Sequence, residues 1–184
     1  MNNLLHGQLV RLAAANSEAD AETMARWYRG SEYQRLLDSE PAAPRTVKQT
    51  KEMMVEWMEH ERPNSFGFMI HTLAEDRLIG FVGLGGINWA HGDCFVGIGI
   101  GERDDWGKGY GTDAMRVILR YAFTELNLHR VSLSVYGYNA RGIRSYEKAG
   151  FVYEGRLRGA VLRDGERADE VCMGVLREEW ERKT

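Results

Sequence analysis

Glycine occupies every second position between residues 107 and 111, in the stretch Gly107-Lys108-Gly109-Tyr110-Gly111-Thr112. A glycine has no Cβ, so its N–H can approach a bound anion closely. A strand-like run precedes this stretch and a helical pattern follows it. The first turn of a helix carries unpaired N–H groups and partial positive charge. Strand, loop and helix N-terminus together predict a cradle for a pyrophosphate, to which Lys108 adds a charge and Thr112 a hydroxyl donor.

Two common phosphate-binding motifs fit this loop poorly. A Walker A loop has four residues between its glycines and then Gly-Lys-Ser/Thr, whereas Lys108 is followed by Gly109. A dinucleotide fingerprint reads Gly-x-Gly-x-x-Gly, and here the third glycine comes one residue early. A nucleotide-binding domain and a glycine-rich turn without a ligand remain as alternatives.

Two stretches carry a more specific pattern. Residues 106–111 read Trp-Gly-Lys-Gly-Tyr-Gly, and residues 139–151 read Asn-Ala-Arg-Gly-Ile-Arg-Ser-Tyr-Glu-Lys-Ala-Gly-Phe. The first resembles the Gln/Arg-x-x-Gly-x-Gly/Ala loop of the GNAT superfamily of acyltransferases, with Trp106 in place of Gln or Arg. The second resembles that family's Asn-x-x-(small)-x-x-x-Tyr-Glu-Lys-x-Gly-Phe. The tryptophan form looks like the branch that includes ribosomal-protein and polyamine acetyltransferases.

The resemblance implies transfer of an acetyl group from acetyl-CoA to a primary amine of a small molecule or a protein N-terminus. It implies a catalytic Tyr146, which would act as general acid towards the departing thiolate. It also implies a set of residues that bind the coenzyme. These are Ile98, Gly99 and Ile100 beside the pantetheine arm, Trp106, Gly107, Lys108, Gly109, Tyr110, Gly111 and Thr112 around the pyrophosphate, and Asn139. A non-catalytic CoA-binding regulatory module is the alternative function.

Several of these residues have simpler interpretations. Asn139 is equally suited to cap a helix, and a helical tyrosine such as Tyr146 often serves only in packing. Cys94 with nearby His91 could form an acylated nucleophile, and the two with Asp93 could bind a metal, but their spacing matches no metal motif, so no metal is expected. The strand before the loop carries no carboxylate where many relatives have a glutamate, so the general base stays unassigned.

Secondary-structure patterns predict an α+β protein. In the first third they indicate a strand over residues 8–12, a helix starting at Ser17, and a helix that Thr46 and Gln49 cap, with Met54, Trp57, Met58 and Glu61 on one face and its end at Pro63. Antiparallel strands follow over residues 66–71, 78–87 and 94–100, and the glycines of the second indicate either a bulge or a close backbone approach. A helix follows the glycine loop. The last third predicts a strand over residues 130–136, a helix over 140–149 that ends at Gly150, and strands over 152–162 and 167–176 joined at Asp164-Gly165. By resemblance this is the GNAT fold, a mixed twisted sheet of about seven strands flanked by helices.

Composition limits the remaining possibilities. The chain has 184 residues, a formal net charge of -3 and 43% hydrophobic residues, which fits one domain over residues 1–184. It has no long basic run for nucleic acid, no apolar segment that could span a membrane and no signal peptide. Cys94 and Cys172 form no disulfide pattern, so a cytoplasmic protein is expected. Family analogy adds a possible homodimer.

Aromatic residues are frequent in the first half of the chain. Trp27, Tyr28, Tyr33, Trp57 and Trp89 are expected mainly in the core or at its edge. Because family members often build the acceptor pocket from their N-terminal helices, some of these side chains are expected to wall that pocket.

Overall fold

A mixed β-sheet forms the centre of the molecule. The computed structural model describes residues 3–60 and 62–182, and within these ranges seven strands lie in the order β1-β2-β3-β4-β5-β7-β6. The strands are β1 Val10–Ala13, β2 Phe66–Thr72, β3 Leu78–Asn88, β4 Asp93–Ile100, β5 Arg130–Tyr136, β6 Val152–Arg163 and β7 Glu166–Leu176. The helices are α1 Ser17–Trp27, α2 Ser31–Leu37, α3 Val47–Met54, α4 Tyr110–Arg120, α5 Ala140–Ala149 and α6 Arg177–Glu181. This arrangement confirms the predicted α+β class and strand number.

One strand pair departs from the antiparallel pattern of the sheet. Strand β4 pairs with β5 in parallel, and their ladder covers only Asp93↔Arg130, Cys94↔Val131 and Phe95↔Ser132. Beyond Phe95, β4 stays paired with β3 as far as Ile100, while β5 stays paired with β7 as far as Tyr136. The two central strands therefore separate, and each leaves one backbone edge unpaired.

Helices cover both faces of the sheet. On one face α4 contributes Met115, Ile118 and Leu119, all fully buried, to the larger core cluster. On the other face, helices α1, α2 and α3 form a second cluster with β2 that contains Met24, Trp27, Tyr28, Tyr33, Met54 and Met69. Burying each large apolar side chain stabilises the fold by about 1.5–3 kcal/mol, so both layers are held mainly by this term.

The N-terminal third differs from expectation at three points. Strand β1 begins at Val10 rather than at Gln8. Helix α1 begins at Ser17 as predicted, but Asn16 is its N-cap, because the Asn16 side chain accepts from the N–H of Ala19 at 3.2 Å. Helix α2 was not predicted, since its seven residues show no repeating apolar pattern.

The predicted capping box of α3 is confirmed. Thr46 accepts from the N–H of Gln49, and the Gln49 side chain accepts from the N–H of Thr46. The helix continues as a π-helical turn, Val55–Glu59, which rotates the following side chains. Met54 is therefore buried while Trp57 is 65% exposed, so the predicted shared face breaks between them. Glu61, also predicted on that face, lies outside the described residues.

The second half of the chain follows its predicted elements closely. Strand β5 and helix α5 have the predicted bounds, and Gly150 ends α5 with φ +114°. The β6–β7 hairpin turns at Asp164 and Gly165, both with positive φ, as an Asp-Gly turn requires. The register of β3 against β4 shifts between Gly85 and Asn88, which confirms the predicted bulge. Across residues 3–60 and 62–182, no helix combines the length and the apolar character needed to cross a bilayer.

A buried carboxylate fastens the start of β1 to the first turn of α4. Asp113 accepts from the backbone N–H of Gln8 at 3.1 Å, Leu9 at 2.7 Å and Val10 at 3.0 Å. Those N–H groups are thereby satisfied outside the sheet, which explains why the strand starts two residues later than predicted. Three hydrogen bonds from backbone N–H groups to one buried carboxylate hold the start of β1 against α4.

Replacing this carboxylate should destabilise the protein. In Asp113→Asn the amide presents two donors where the chain needs acceptors, so at least one buried N–H loses its partner. We expect the free energy of unfolding to fall by about 1–3 kcal/mol, measured by urea denaturation. Asp104→Asn, at an exposed position one turn before the glycine loop, is the matched control and should change it by less than about 0.5 kcal/mol. Equal effects of the two variants would contradict the anchoring role.

Candidate functional site

A cleft with a volume of about 490 Å³ runs from the glycine loop to helix α2. That volume suits an organic ligand of medium size. Six segments line the cleft: Gln8 and Leu9 before β1, the end of β4, the glycine loop with Asp105 before it, the N-terminal half of α4, one face of α5, and α2. The sequence-predicted residues Ile98, Gly99, Ile100, Trp106, Gly107, Gly109, Tyr110, Gly111, Thr112, Asn139 and Tyr146 are all brought together along its wall.

The glycine loop has the geometry that an anion cradle needs. Gly107 and Gly109 have φ +77° and +91°, a left-handed region that favours glycine. Gly109 is the N-cap of α4 and supplies no side-chain cap. Within the described chain, the backbone N–H groups of residues 107–112 donate to no protein acceptor. Six consecutive donors at a helix N-terminus are therefore free to bind an anion, and five of these six residues, all except Lys108, line the cleft.

Trp106 holds the base of this loop. Its indole Nε1–H donates to the carbonyl oxygen of Ile100 at 2.8 Å, which closes the segment between β4 and the loop. The guanidinium of Arg141 lies over the same ring at 3.7 Å from its centroid. The indole donor is thus engaged by the protein. Trp106 shapes the cleft by packing and by this bond.

A buried ion pair fixes the turn that precedes Trp106. Asp105 is 3% exposed and accepts two hydrogen bonds from Arg77, at 2.8 and 2.7 Å. The Arg77 guanidinium holds the pKa of the Asp105 carboxyl below its usual range. Arg77 lies just before β3, so the pair ties the glycine loop to the sheet. The short helix Arg103–Asp105 is consequently held in place below the cleft.

Positive side chains surround the cleft. Arg116, Arg141, Arg144 and Lys148 line it, and Lys108 stands in the loop itself. Its lining carboxylates among the described residues, Asp105 and Asp113, are both occupied by the contacts given above. Sequence reasoning named Lys108 and missed the others. Their spacing could have revealed them, because residues 141, 144 and 148 recur at three and four and so share one face of α5.

Two predicted side chains are engaged within the protein. The Thr112 hydroxyl lies 2.8 Å from that of Ser145, and this contact joins α4 to α5. Asn139 is the N-cap of α5, since its Oδ1 accepts from the N–H of Gly142 at 2.9 Å. The capping interpretation of Asn139 is therefore correct. Its amide Nδ2 is not used by that cap and belongs to the wall of the cleft.

Tyr146 is half-buried in the cleft wall on α5, with its ring edge against Phe151 at a centroid distance of 6.1 Å. Among the described residues none hydrogen-bonds to its hydroxyl. Burial raises the pKa of Tyr146 to about 12, which nearby Arg141 opposes only slightly. The phenol is therefore neutral at any physiological pH and has a proton to donate.

The end of β4 supplies the other wall. Ile98, Gly99 and Ile100 lie beyond the last residue pair that β4 forms with β5. No strand of the described sheet pairs with their outer backbone edge, although the Ile100 carbonyl oxygen accepts from the Trp106 indole. An extended chain of amides could pair with this edge in the manner of an added strand.

A comparison with known proteins identifies the family. The model of the acetyltransferase (GNAT) domain matches residues 10–152. The chain belongs to the GNAT family of acetyltransferases. It is 36% identical over 133 residues to a probable N-acetyltransferase, YjcK, of Bacillus subtilis (strain 168), covering 71% of this chain and 73% of that protein. It is 35% identical over 107 residues to the spermidine N(1)-acetyltransferase of Vibrio cholerae, covering 58% and 61%.

Solved structures agree with this assignment. The crystal structure of spermidine N-acetyltransferase from Vibrio cholerae in complex with CoA and spermine matches with a TM-score of 0.81 and 25% identity, covering 94% of this chain and 98% of that one. The predicted GNAT fold is therefore confirmed. So is the predicted class of enzyme, an acetyl-CoA-dependent N-acetyltransferase.

The weaker sequence-based alternatives lose support. Cys94 is 2% exposed, and burial followed by the charge of Asp93 raises the pKa of its thiol to about 12. Such a thiol is a poor nucleophile at neutral pH. Across residues 3–60 and 62–182, no group of three or more His, Cys, Asp or Glu side chains is placed to hold a metal ion.

Removing Arg77 should weaken the support of the glycine loop. In Arg77→Met the buried Asp105 carboxylate loses both hydrogen bonds, and we expect the free energy of unfolding at pH 7 to fall by about 2 kcal/mol in urea titrations. Arg26→Met is the control. The ion pair of Arg26 with Glu102 is about half exposed, so its loss should lower the free energy of unfolding by less than about 1 kcal/mol.

The same variant has a defined pH dependence. The folded-state pKa of Asp105 is lowered, so its contribution is present above the unfolded pKa of about 3.9 and is lost as pH falls through the folded value. The difference in the free energy of unfolding between wild type and Arg77→Met should therefore decrease below about pH 4. A difference in unfolding free energy that stays constant with pH would contradict the ion-pair explanation.

Proposed function

We propose that this chain transfers an acetyl group from acetyl-CoA to a primary amine of a small molecule or a protein N-terminus, using the cleft described above. The free N–H groups of residues 107–112 beside the unpaired edge of β4 carry this proposal. A diphosphate and an amide-containing pantetheine arm are two parts of CoA, and these two features are complementary to them. No feature of the described residues favours a non-catalytic CoA-binding module instead.

The phosphates of CoA are assigned to the glycine loop. Backbone N–H groups of Gly107, Lys108, Gly109, Tyr110, Gly111 and Thr112 would hold the diphosphate, and the N-terminus of α4 favours its negative charge. Lys108, Arg116, Arg144 and Lys148 add positive charge around the same opening. The side chain of Trp106 acts through its bond to Ile100 and keeps the loop in shape.

The pantetheine arm is assigned to the unpaired edge of β4. The backbones of Ile98, Gly99 and Ile100 would pair with its amides, as an added strand pairs with a sheet edge. Asn139 would contribute its free amide Nδ2 from the opposite wall. This position brings the thioester into the gap between β4 and β5, below Tyr146.

Tyr146 is assigned to the leaving sulfur. When the C–S bond breaks, the CoA sulfur carries a negative charge, and a thiol of this type has a pKa near 8.5. Because the pKa of Tyr146 is about 12, the tyrosine keeps its proton and stabilises the thiolate as a hydrogen-bond donor. The sequence-based role of Tyr146 as a general acid is therefore refined to donation without full transfer.

Deprotonation of the amine is assigned to solvent. Asp105 is occupied by Arg77, and Asp113 by three backbone N–H groups, so neither cleft carboxylate is available as a base. The acceptor would enter as the neutral amine, or would lose its proton to water in the open cleft. The reaction then depends on proximity and on stabilisation of charge.

Three wider expectations belong to the same proposal. Strands β1 and β7, from opposite ends of the described chain, join one sheet, which supports a single catalytic domain over residues 1–184. Cys94 and Cys172 are free thiols, which suits a reducing cytoplasm. A homodimer stays a prediction from family analogy.

The first test is thiol release from acetyl-CoA with a panel of amines: peptides with free N-termini, polyamines, amino sugars and amino acids. We expect CoA release with at least one class and none without an amine. Gly109→Ala should raise the KM for acetyl-CoA about tenfold or more, because its φ of +91° strains any residue with a Cβ and the cradle must shift. Gly155→Ala, where a Cβ meets open space, is the matched control. Wild-type protein that binds CoA but transfers to no amine would contradict the enzymatic proposal.

The second test concerns Tyr146. Tyr146→Phe should lower kcat by about 10²-fold while the Kd for CoA changes less than twofold, since only the leaving sulfur loses a partner.

In wild type, kcat should rise with pH as the chosen amine loses its proton. The pKa of that amine is near 8 for a peptide N-terminus and near 10 for an alkylamine. No decline should follow below about pH 10.5, because the functional phenol loses its proton only as pH approaches 12. A decline near pH 9, or equal loss of kcat and CoA affinity in the variant, would contradict this role.

A further inference from the structure

Tyr33 carries a buried hydroxyl that the protein itself does not use. The residue is 6% exposed, and its Oη is among the buried polar atoms with no hydrogen-bond partner in the described chain. A buried hydroxyl without a partner costs about 1–3 kcal/mol, so such groups are rare unless a ligand completes them. Tyr33 also lines the cleft assigned above to acetyl-CoA and the amine.

The phenol stands directly over the end of β4. A Cβ built on Gly99 would lie 2.7 Å from Tyr33 Oη, so the hydroxyl reaches the strand only because residue 99 is glycine. Gly99 lies in the part of β4 that has separated from β5. The hydroxyl thus lies over Gly99, on the face covered by helices α1 to α3, whereas Tyr146 lines the same cleft from α5.

The position of Tyr33 is fixed by its neighbours. Its ring packs edge-on against Tyr28 at a centroid distance of 5.6 Å, and in a tilted arrangement against Trp27 at 6.2 Å. Helix α2 is itself held across the gap, because the Tyr138 hydroxyl donates to the carbonyl oxygen of Arg35 at 2.6 Å. A donor held this firmly needs little reorganisation when charge develops beside it.

Its surroundings also fix its protonation state. Burial raises the pKa of Tyr33 well above its ordinary value, and the charges of Tyr28 and Asp38 act in the same direction. The hydroxyl is therefore a neutral donor over the whole range in which the enzyme can work. Leu36 and Leu37 lie beside it in the cleft, so water competes weakly for its proton.

The acetyl thioester offers one strong acceptor, the carbonyl oxygen. Resting on the proposed function, we propose that Tyr33 is a catalytic residue whose hydroxyl donates a hydrogen bond to this oxygen and stabilises the oxyanion. The amine lone pair forms the N–C bond, and the C=O π pair moves to the oxygen. The nitrogen loses its proton to solvent. The C=O bond then re-forms, the C–S bond breaks, and the sulfur leaves as the thiolate. The amine nitrogen is a less suitable partner, since its lone pair is consumed by the attack.

Tyr33→Phe tests this role against a matched control in the same cluster. Tyr28 is equally buried, but its hydroxyl already contacts the Met53 sulfur at 3.8 Å and lies outside the cleft lining. We expect Tyr33→Phe to lower kcat about 10²-fold, with the KM for the amine and the Kd for CoA within twofold of wild type. Tyr28→Phe should keep kcat within twofold. A kcat of Tyr33→Phe within twofold of wild type, or a rise confined to the KM for the amine, would overturn the proposal.

A spectroscopic measurement on the wild-type protein needs no variant to fold. Acetyl-CoA labelled with ¹³C at the carbonyl is bound without an amine, and its C=O stretch is read by isotope-edited infrared difference spectroscopy. A hydrogen bond from Tyr33 should move the stretch to lower wavenumber than in water-free reference solvent, and the shift should diminish in Tyr33→Phe and persist in Tyr28→Phe. An unshifted stretch in bound wild type would overturn the role of Tyr33. Failure of wild type to bind acetyl-CoA at all would instead overturn the proposed function.

Discussion

The separation of β4 from β5 is the constraint on which the site depends. A parallel ladder of only three residue pairs joins the two strands, and each then follows a different antiparallel partner. Unpaired backbone edges inside a protein are costly unless something pairs with them. The glycine loop begins shortly after the free end of β4, and Tyr146 on α5 and Tyr33 on α2 line the cleft that starts there. Each of these placements is useful only because the strands part.

The cleft contains carboxylates, but each of them is already hydrogen-bonded to the protein. Asp105 is paired with Arg77 beneath the loop, and Asp113 accepts three N–H groups at the first turn of α4. The basic residues of α4 and α5 are left to set the potential of the opening. An anionic ligand in this cleft would therefore meet net positive charge in a protein whose overall formal charge is -3.

The sequence predicted the parts of the site whose chemistry leaves a local signature. Gly107 and Gly109 need left-handed backbone, so the alternating glycines stood out, and Gly150 and the Asp164-Gly165 turn were found for the same reason. Contacts between distant segments left no such trace. The bond from Trp106 to the carbonyl of Ile100 uses a donor that any surface tryptophan has. Helix α2 lacked apolar periodicity, so the approach of Tyr33 to Gly99 could not be inferred, although Tyr33 itself was expected near the core or the acceptor pocket. The assigned roles in binding and catalysis stay predictions until the variants are measured.

The contact of Asp113 with residues 8–10 couples the edge of the sheet thermodynamically to the proposed phosphate site. If β1 detaches from α4, its three N–H groups leave and a bare carboxylate faces the place where the diphosphate would bind. Detachment and ligand binding thus oppose each other through electrostatic repulsion. By reciprocity, a bound polyanion would hold β1 more tightly against α4. Detachment of β1 should therefore become less frequent as more of the cleft is occupied.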